Sequence, residues 1–91
     1  MKKTIWKYEI ENKSEILIPK NSEFLKLDMQ DGRYVAWFIV NTEGEMELKK
    51  FRVLMTGEIF EEFRGRYLGT LQFRVFGSSI EIVAHVFEDL S

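Results

Sequence analysis

The chain has 91 residues, 45% of them hydrophobic and 31% charged, with a formal net charge of −2 at pH 7. This length and composition predict a single globular domain spanning residues 1–91 and argue against disorder. The sequence contains no cysteine, which excludes disulfides, thiolate zinc sites and cysteine nucleophiles and favours a reducing compartment, so we expect a cytoplasmic protein.

The start of the chain predicts two short strands. Apolar and polar residues alternate over residues 4–11, where Trp6 and Ile10 share one face. No long apolar run follows the basic first residues, so we predict neither a signal peptide nor a membrane-spanning segment. A second strand is predicted over Ser14–Ile18 and ends at Pro19, which cannot donate a hydrogen bond to a ladder.

The pair Asp31-Gly32 is the clearest turn signal in the sequence. Both residues tolerate the positive φ that a type I′ hairpin turn requires, and a two-residue loop would pair Gln30 with Arg33. One face of this hairpin would carry Leu25, Leu27, Met29, Tyr34, Ala36 and Phe38. The other face would carry Phe24, Val35, Trp37 and Ile39. Because residues 34–40 are apolar on both faces, we predict that they form a central strand.

The second half of the chain predicts more strands and one short helix. Alternation indicates strands at residues 46–56, 67–76 and 80–87. Between the first two, the spacing of Phe60 and Phe63 predicts a helix near residues 58–65 that ends at Gly65. The fold class expected is mainly β (β-rich α+β), an antiparallel meander of six or seven strands that forms a small barrel or sandwich.

No pattern typical of an enzyme is present. His85 is the sole histidine, and a zinc site or a general base would need partner residues that no motif supplies. No serine lies in a G-x-S-x-G elbow, and no calcium-loop or phosphate-loop spacing occurs. We therefore expect a protein that is not an enzyme, with no catalytic or metal-ligating residues and no cofactor.

Basic residues cluster at two places and suggest a test for nucleic-acid binding. The first cluster is Lys49, Lys50 and Arg52. The second is Arg64, Arg66 and Arg74. Binding to nucleic acid relies on a basic surface that neutralises phosphates, whereas the net charge here is −2. Nucleic-acid binding through the first cluster is therefore the least favoured function.

A series of short segments along nearly the whole chain matches a pattern in both order and spacing. The segments are Thr4–Tyr8, Ile18–Lys20, Leu25–Gln30, Gly32, Ala36-Trp37, Val40-Asn41, Phe51–Val53, Thr56-Gly57, Tyr67–Thr70 and His85–Glu88. In these segments the chain resembles a family of short proteins, mostly encoded by phages or prophages, that is known as a domain of unknown function. The resemblance implies a phage setting, in the cytoplasm of the host cell, and brings no activity with it.

The chain departs from that family at two positions. Family members typically carry a histidine after the Thr-Gly step, where this chain has Glu58, and a tryptophan just before the closing histidine, where it has Ala84. If those two positions form a site in the family, this member has altered it.

We expect the protein to act by binding. The leading hypothesis is a phage accessory protein that binds a host or defence-system protein, or itself as a homo-oligomer, through an exposed strand edge or apolar patch. The alternative is a sponge for a small nucleotide signal, held in a barrel mouth or between subunits. No membrane partner is expected. The candidate ligand- or partner-binding residues are Thr56, Gly57, Glu58, Arg64, Arg66 and His85.

Overall fold

Seven antiparallel strands form two sheets in the computed structural model, which describes residues 2–75 and 77–91. The strands are β1 Lys3–Ile10, β2 Ser14–Pro19, β3 Glu23–Gln30, β4 Arg33–Asn41, β5 Met46–Met55, β6 Gly65–Arg74 and β7 Glu81–Asp89. The three-stranded sheet has the order β1-β4-β3, and the four-stranded sheet has the order β2-β5-β7-β6. Met1 and Phe76, the last residue of the strand predicted over 67–76, lie outside the described residues.

The hairpin of β3 and β4 has the predicted turn and register. Asp31 and Gly32 have φ angles of 52° and 76°, as a type I′ turn requires. Gln30 pairs with Arg33, and the ladder continues from there towards the core. The predicted central strand is also confirmed, since β4 lies between β1 and β3 and Val35, on its outer face, is only 5% exposed.

A β-bulge in β3 changes two of the predicted positions. The register shifts between Phe24 and Lys26, so Phe24 pairs with Phe38 and their rings lie 5.7 Å apart at the core. Phe24 was expected on the face opposite Phe38, and Leu25, expected on the same face as Phe38, is 43% exposed. One inserted residue reverses the side-chain alternation beyond it, and no local sequence signal marks the insertion.

The core lies between the two sheets. Phe38 of β4 and Phe51 of β5 bring their rings to 6.2 Å across the interface. Around them pack buried aliphatic residues from both sheets, namely Ile10, Ile18, Ala36, Val40, Val53, Ala84 and Val86. The two sheets therefore share one hydrophobic core, as in a β-sandwich.

The expected meander and the barrel alternative are both wrong. The chain crosses from one sheet to the other between β1 and β2, β2 and β3, and β4 and β5, and β7 is inserted between β5 and β6. Lys13 and Asn21, with φ angles of 74° and 61°, lie in the first two crossings, where the chain changes direction. Because β1, β3, β2 and β6 are edge strands of two separate sheets, the barrel does not close.

The helix predicted near residues 58–65 is absent. This segment has no regular secondary structure, because it must cross β7 to connect β5 with β6 on the far side. Phe63 packs edge-on against Phe87 of β7, with ring centroids 5.8 Å apart, and this contact replaces the helical packing that the Phe60–Phe63 spacing suggested. A single helical turn is costly to nucleate without tertiary support. No described residue belongs to a helix long and apolar enough to cross a membrane.

Candidate functional site

His85 lies on the outer face of the four-stranded sheet. Its neighbours in β7, Ala84 and Val86, lie on the opposite face and are buried. Its Nε2 lies 2.8 Å from the hydroxyl of Thr56, and its Nδ1 lies 3.0 Å from the hydroxyl of Thr70. The Thr70 hydroxyl also contacts the hydroxyl of Tyr67. Because hydroxyls both donate and accept, the two threonines satisfy either tautomer of the imidazole.

This hydroxyl–imidazole chain lacks the third member of a hydrolytic triad. Thr56 lies within hydrogen-bonding reach of Nε2, as a nucleophile would, but Nδ1 contacts Thr70 and no described carboxylate. His85 is not among the residues that line a groove formed by β2, β5 and β7 on the same face. Among residues 2–75 and 77–91, no three acidic, histidine or cysteine side chains are grouped closely enough to hold a metal ion.

The segment Thr56-Gly57-Glu58 forms a tight turn at the end of β5. The Glu58 amide donates to the carbonyl of Met55 at 3.0 Å, and Gly57 has a φ of 87°. The carboxylate of Glu58 accepts a hydrogen bond from the Met55 amide at 3.0 Å. Glu58 therefore stabilises the turn, and the Thr56 amide continues the ladder by donating to Val83.

Arg64 and Arg66 flank Gly65, the first residue of β6. Arg66 faces Glu88, whose carboxylate is 3.7 Å from its Nη1 and 3.1 Å from Nζ of Lys49. The Glu88 side chain is only 11% exposed and that of Lys49 is 14% exposed, so the ion pair of Lys49 and Glu88 is largely buried. The backbone of Arg64 bonds to the end of the chain, accepting from the Leu90 amide at 2.7 Å and donating to the Ser91 hydroxyl at 3.1 Å.

The six predicted site residues therefore separate into three places. Thr56 and His85 meet on the outer face, Gly57 and Glu58 form a turn, and Arg64 and Arg66 hold the chain terminus and Glu88. Only the Thr56–His85 contact brings two of the six side chains together. They do not form a common ligand pocket.

An aromatic cluster that the sequence analysis did not identify lies beside His85 on the same face. Phe63 packs on Phe87, and Phe87 packs on Tyr67 with centroids 5.5 Å apart. The guanidinium of Arg52 lies over the Phe63 ring, 4.2 Å from its centroid. This contact fixes a cationic side chain on an aromatic surface.

Next to Arg52, a groove of about 300 Å³ forms where the start of β2 meets β5 and the end of β7. Its lining residues are Lys13, Ser14, Glu15, Lys50, Phe51, Arg52 and Asp89. Lys50 pairs in register with Glu15 on one side and with Asp89 on the other. The groove therefore runs across three neighbouring strands on the outer face.

Three large apolar side chains are exposed at one edge of the four-stranded sheet. Leu17 of β2 pairs with Leu48 of β5, and the two are 58% and 59% exposed. Met46 lies two residues before Leu48 on the same face of β5 and is 45% exposed. We call Leu17, Met46 and Leu48 the apolar patch. Its signal in the sequence is the alternation that places Met46 and Leu48 on the face of residues 46–56 opposite Phe51 and Val53.

These features define the class of the molecule as a seven-stranded β-sandwich domain with an elaborated outer face on its four-stranded sheet. A family model described as Domain of unknown function (DUF7352) matches residues 1–91. The chain therefore belongs to this family, which confirms the resemblance to a family of unknown function. No curated protein and no solved structure was found to match the chain.

The two positions at which the chain departs from the resembled pattern do not lie in one exposed site. Ala84 is fully buried in the core between the sheets, opposite Met55 in the ladder. Glu58 is exposed in the turn after β5. A larger side chain at position 84 would change core packing rather than a surface site.

Proposed function

We propose that this protein is a non-enzymatic phage or prophage accessory protein that acts in the host cytoplasm by binding a host or defence-system protein through the apolar patch. The observation that carries the proposal is the exposed pair Leu17 and Leu48, which lies at the edge of a sheet. Contiguous exposed apolar patches on folded proteins mark interaction sites more often than scattered apolar residues do.

The position of the patch supports a protein partner. β2 is an edge strand, so one side of its backbone has no neighbouring strand in the sheet. A partner strand could add to this edge through main-chain hydrogen bonds while the apolar patch supplies contacts for its side chains. Main-chain pairing gives affinity, and the leucine contacts would give selectivity.

The chemistry of the outer face also favours binding over catalysis. Both ring nitrogens of His85 have hydroxyl partners within the chain, so this histidine has no free nitrogen for a substrate proton. The predicted binding residues Arg66 and Glu58 are likewise engaged in the fold, with Glu88 and the Met55 amide. The apolar patch, in contrast, is exposed.

The test is crosslinking capture from host-cell lysate, comparing the unmodified protein with Leu48→Glu. The expected result is one specific protein band or a small set of bands that the charged variant no longer captures. Ile5→Glu is the matched control, because Ile5 is 57% exposed on the other sheet and should not affect capture.

Three results would contradict the proposal. The first is no specific capture by the unmodified protein, and the second is equal capture by Leu48→Glu. The third is a dimer, seen by light scattering, that Leu48→Glu converts to a monomer without any host partner. That result would assign the patch to self-association.

A further inference from the structure

The groove on the outer face carries a cluster of cations whose charges are not neutralised by ion pairs. No ion pair of the described residues involves Lys13, Lys50 or Arg52, all of which line it. Lys49, the neighbour of Lys50 in sequence, lies on the opposite face and is bound to Glu88. Alternation along β5 thus gives one lysine an internal partner and directs the next one to the groove.

Arg52 is held in place before any ligand binds. Its guanidinium lies on the Phe63 ring at 4.2 Å, and its Nε is buried with no hydrogen-bond partner among the described residues. An anion in the groove would accept charge-assisted hydrogen bonds from this guanidinium, which are stronger than hydrogen bonds between neutral groups. Since the side chain is already ordered by the ring, binding would also lose little conformational entropy.

Two acids in the groove restrict what the ligand can be. Asp89 accepts a hydrogen bond from the Ser91 amide at 2.9 Å, and Glu15 lies opposite Lys50. The Ser91 amide, with Arg52 and Lys50 nearby, lowers the pKa of Asp89, so this carboxylate is charged at neutral pH. Three cations against two carboxylates leave an excess of one positive charge. A dianionic group gains more from this balance than a monoanionic carboxylate does.

We infer that this groove binds the phosphate group of a small phosphorylated molecule, with Arg52, Lys50 and Lys13 as its ligands. A volume of about 300 Å³ lies at the lower end of the range for small-molecule sites and suits a phosphomonoester with a small organic part. The site differs from the six candidate ligand- or partner-binding residues predicted from the sequence, because none of them lines this groove. It shares no residue with the apolar patch, so either assignment can fail alone.

The test is a titration of the protein with adenosine monophosphate and, separately, with inorganic phosphate at low salt. Binding is monitored through the backbone amide chemical shifts. We expect saturable shifts at Lys13–Glu15, Lys50–Arg52 and Asp89. Arg52→Gln and Lys50→Gln should each weaken binding roughly tenfold, which corresponds to about 1.4 kcal/mol. Asp89→Asn should strengthen it, because it removes a competing negative charge, and a purely structural role of Asp89 would not produce that gain.

Lys26→Gln is the matched control. Lys26 also lies over an aromatic ring, 5.6 Å from the centroid of Trp37, but on the other sheet and beside Asp28. Its loss should leave binding unchanged. The inference is overturned by no saturable shift, by an equal loss in Lys26→Gln, or by malonate binding as tightly as phosphate. Binding to oligonucleotides but not to the mononucleotide would also overturn it and would indicate a nucleic-acid surface.

Discussion

The rings of Phe38 and Phe51 meet 6.2 Å apart and join the central strand of the three-stranded sheet to the four-stranded sheet. The two residues are 2% and 1% exposed. Tyr8 and Phe24 pack edge-on against Phe38 from β1 and β3, with ring centroids 5.9 and 5.7 Å away. Through this aromatic contact, side chains from all three strands of one sheet pack together with the other sheet.

Replacing Phe51 with alanine should destabilise the protein strongly. We expect a loss of about 3–5 kcal/mol in the free energy of unfolding, because a fully buried ring is removed and a cavity remains. Urea denaturation measures this loss. Phe60→Ala is the control, since Phe60 is 49% exposed, and it should lose far less. Equal losses in the two variants would show that Phe51 is not the centre of the core.

The hairpin turn predicts a backbone effect at Gly32. Its φ is 76° and open space surrounds the position of a Cβ, so Gly32→Ala should cost about 1–2 kcal/mol through backbone strain alone. Asp31→Asn should change stability by less than about 0.5 kcal/mol, because asparagine also suits a type I′ turn. Thermal unfolding of both variants tests this, and an alanine variant as stable as the parent would contradict the turn assignment.

The ion pair of Lys49 and Glu88 predicts strong coupling between two substitutions. Their side chains are 14% and 11% exposed, so Glu88→Gln should destabilise the protein by about 1–3 kcal/mol by leaving Lys49 with poorer compensation. The double variant Lys49→Met, Glu88→Gln should recover most of that loss, since it removes both buried charges. A double-mutant cycle measures the coupling, and additive losses would count against a buried pair.

The lowered pKa values of two aspartates predict how the stability of the protein changes at acidic pH. The Met29 amide and Lys26 lower the pKa of Asp28, and the Ser91 amide, with Arg52 and Lys50, lowers that of Asp89. Because both folded-state pKa values lie below the ordinary 3.8, their stabilisation is complete above that value and is lost as pH falls through the folded pKa values. Melting temperatures of Asp89→Asn between pH 2 and 6 should therefore fall less steeply than those of the parent. An unchanged slope would contradict this.

The contacts of His85 predict a local effect of Thr70. Thr70→Val removes the hydroxyl that meets both Tyr67 and the Nδ1 of His85, and should cost about 1 kcal/mol or slightly more. Thr70→Ser keeps the hydroxyl and is the control. The imidazole nitrogen shifts of His85 should change in the valine variant and not in the serine variant. Identical shifts in both variants would show that Thr70 does not position the ring.

The local pattern of residues was sufficient to predict the seven strands and one turn. The period of two located all seven strands, and Asp31-Gly32 predicted a register that the pairing of Gln30 with Arg33 confirms. These features depend on neighbouring residues along the chain, because alternation and positive φ are properties of the local backbone. The same local argument failed at the β3 bulge, where one extra residue reversed the expected face of Phe24.

The candidate sites depended on contacts between distant residues. Thr56, Arg66 and His85 were predicted together as candidate binding residues, but with β7 inserted between β5 and β6 only Thr56 and His85 are in contact. Arg52 became part of a groove because the segment after β5 crosses β7 and places Phe63 beneath its guanidinium. Strand order is set by packing across the whole core, which no local period encodes.

The class of structure follows from the sequence alone: a cysteine-free, mainly β domain whose alternation sorts its side chains onto two faces. The tertiary structure alone decided which of those faces is covered. The second sheet packs on the side of Phe51 and Val53 and leaves Leu48, Lys50 and Arg52 on the outside. A strand's own sequence defines two faces, but only a contact with another sheet buries one of them.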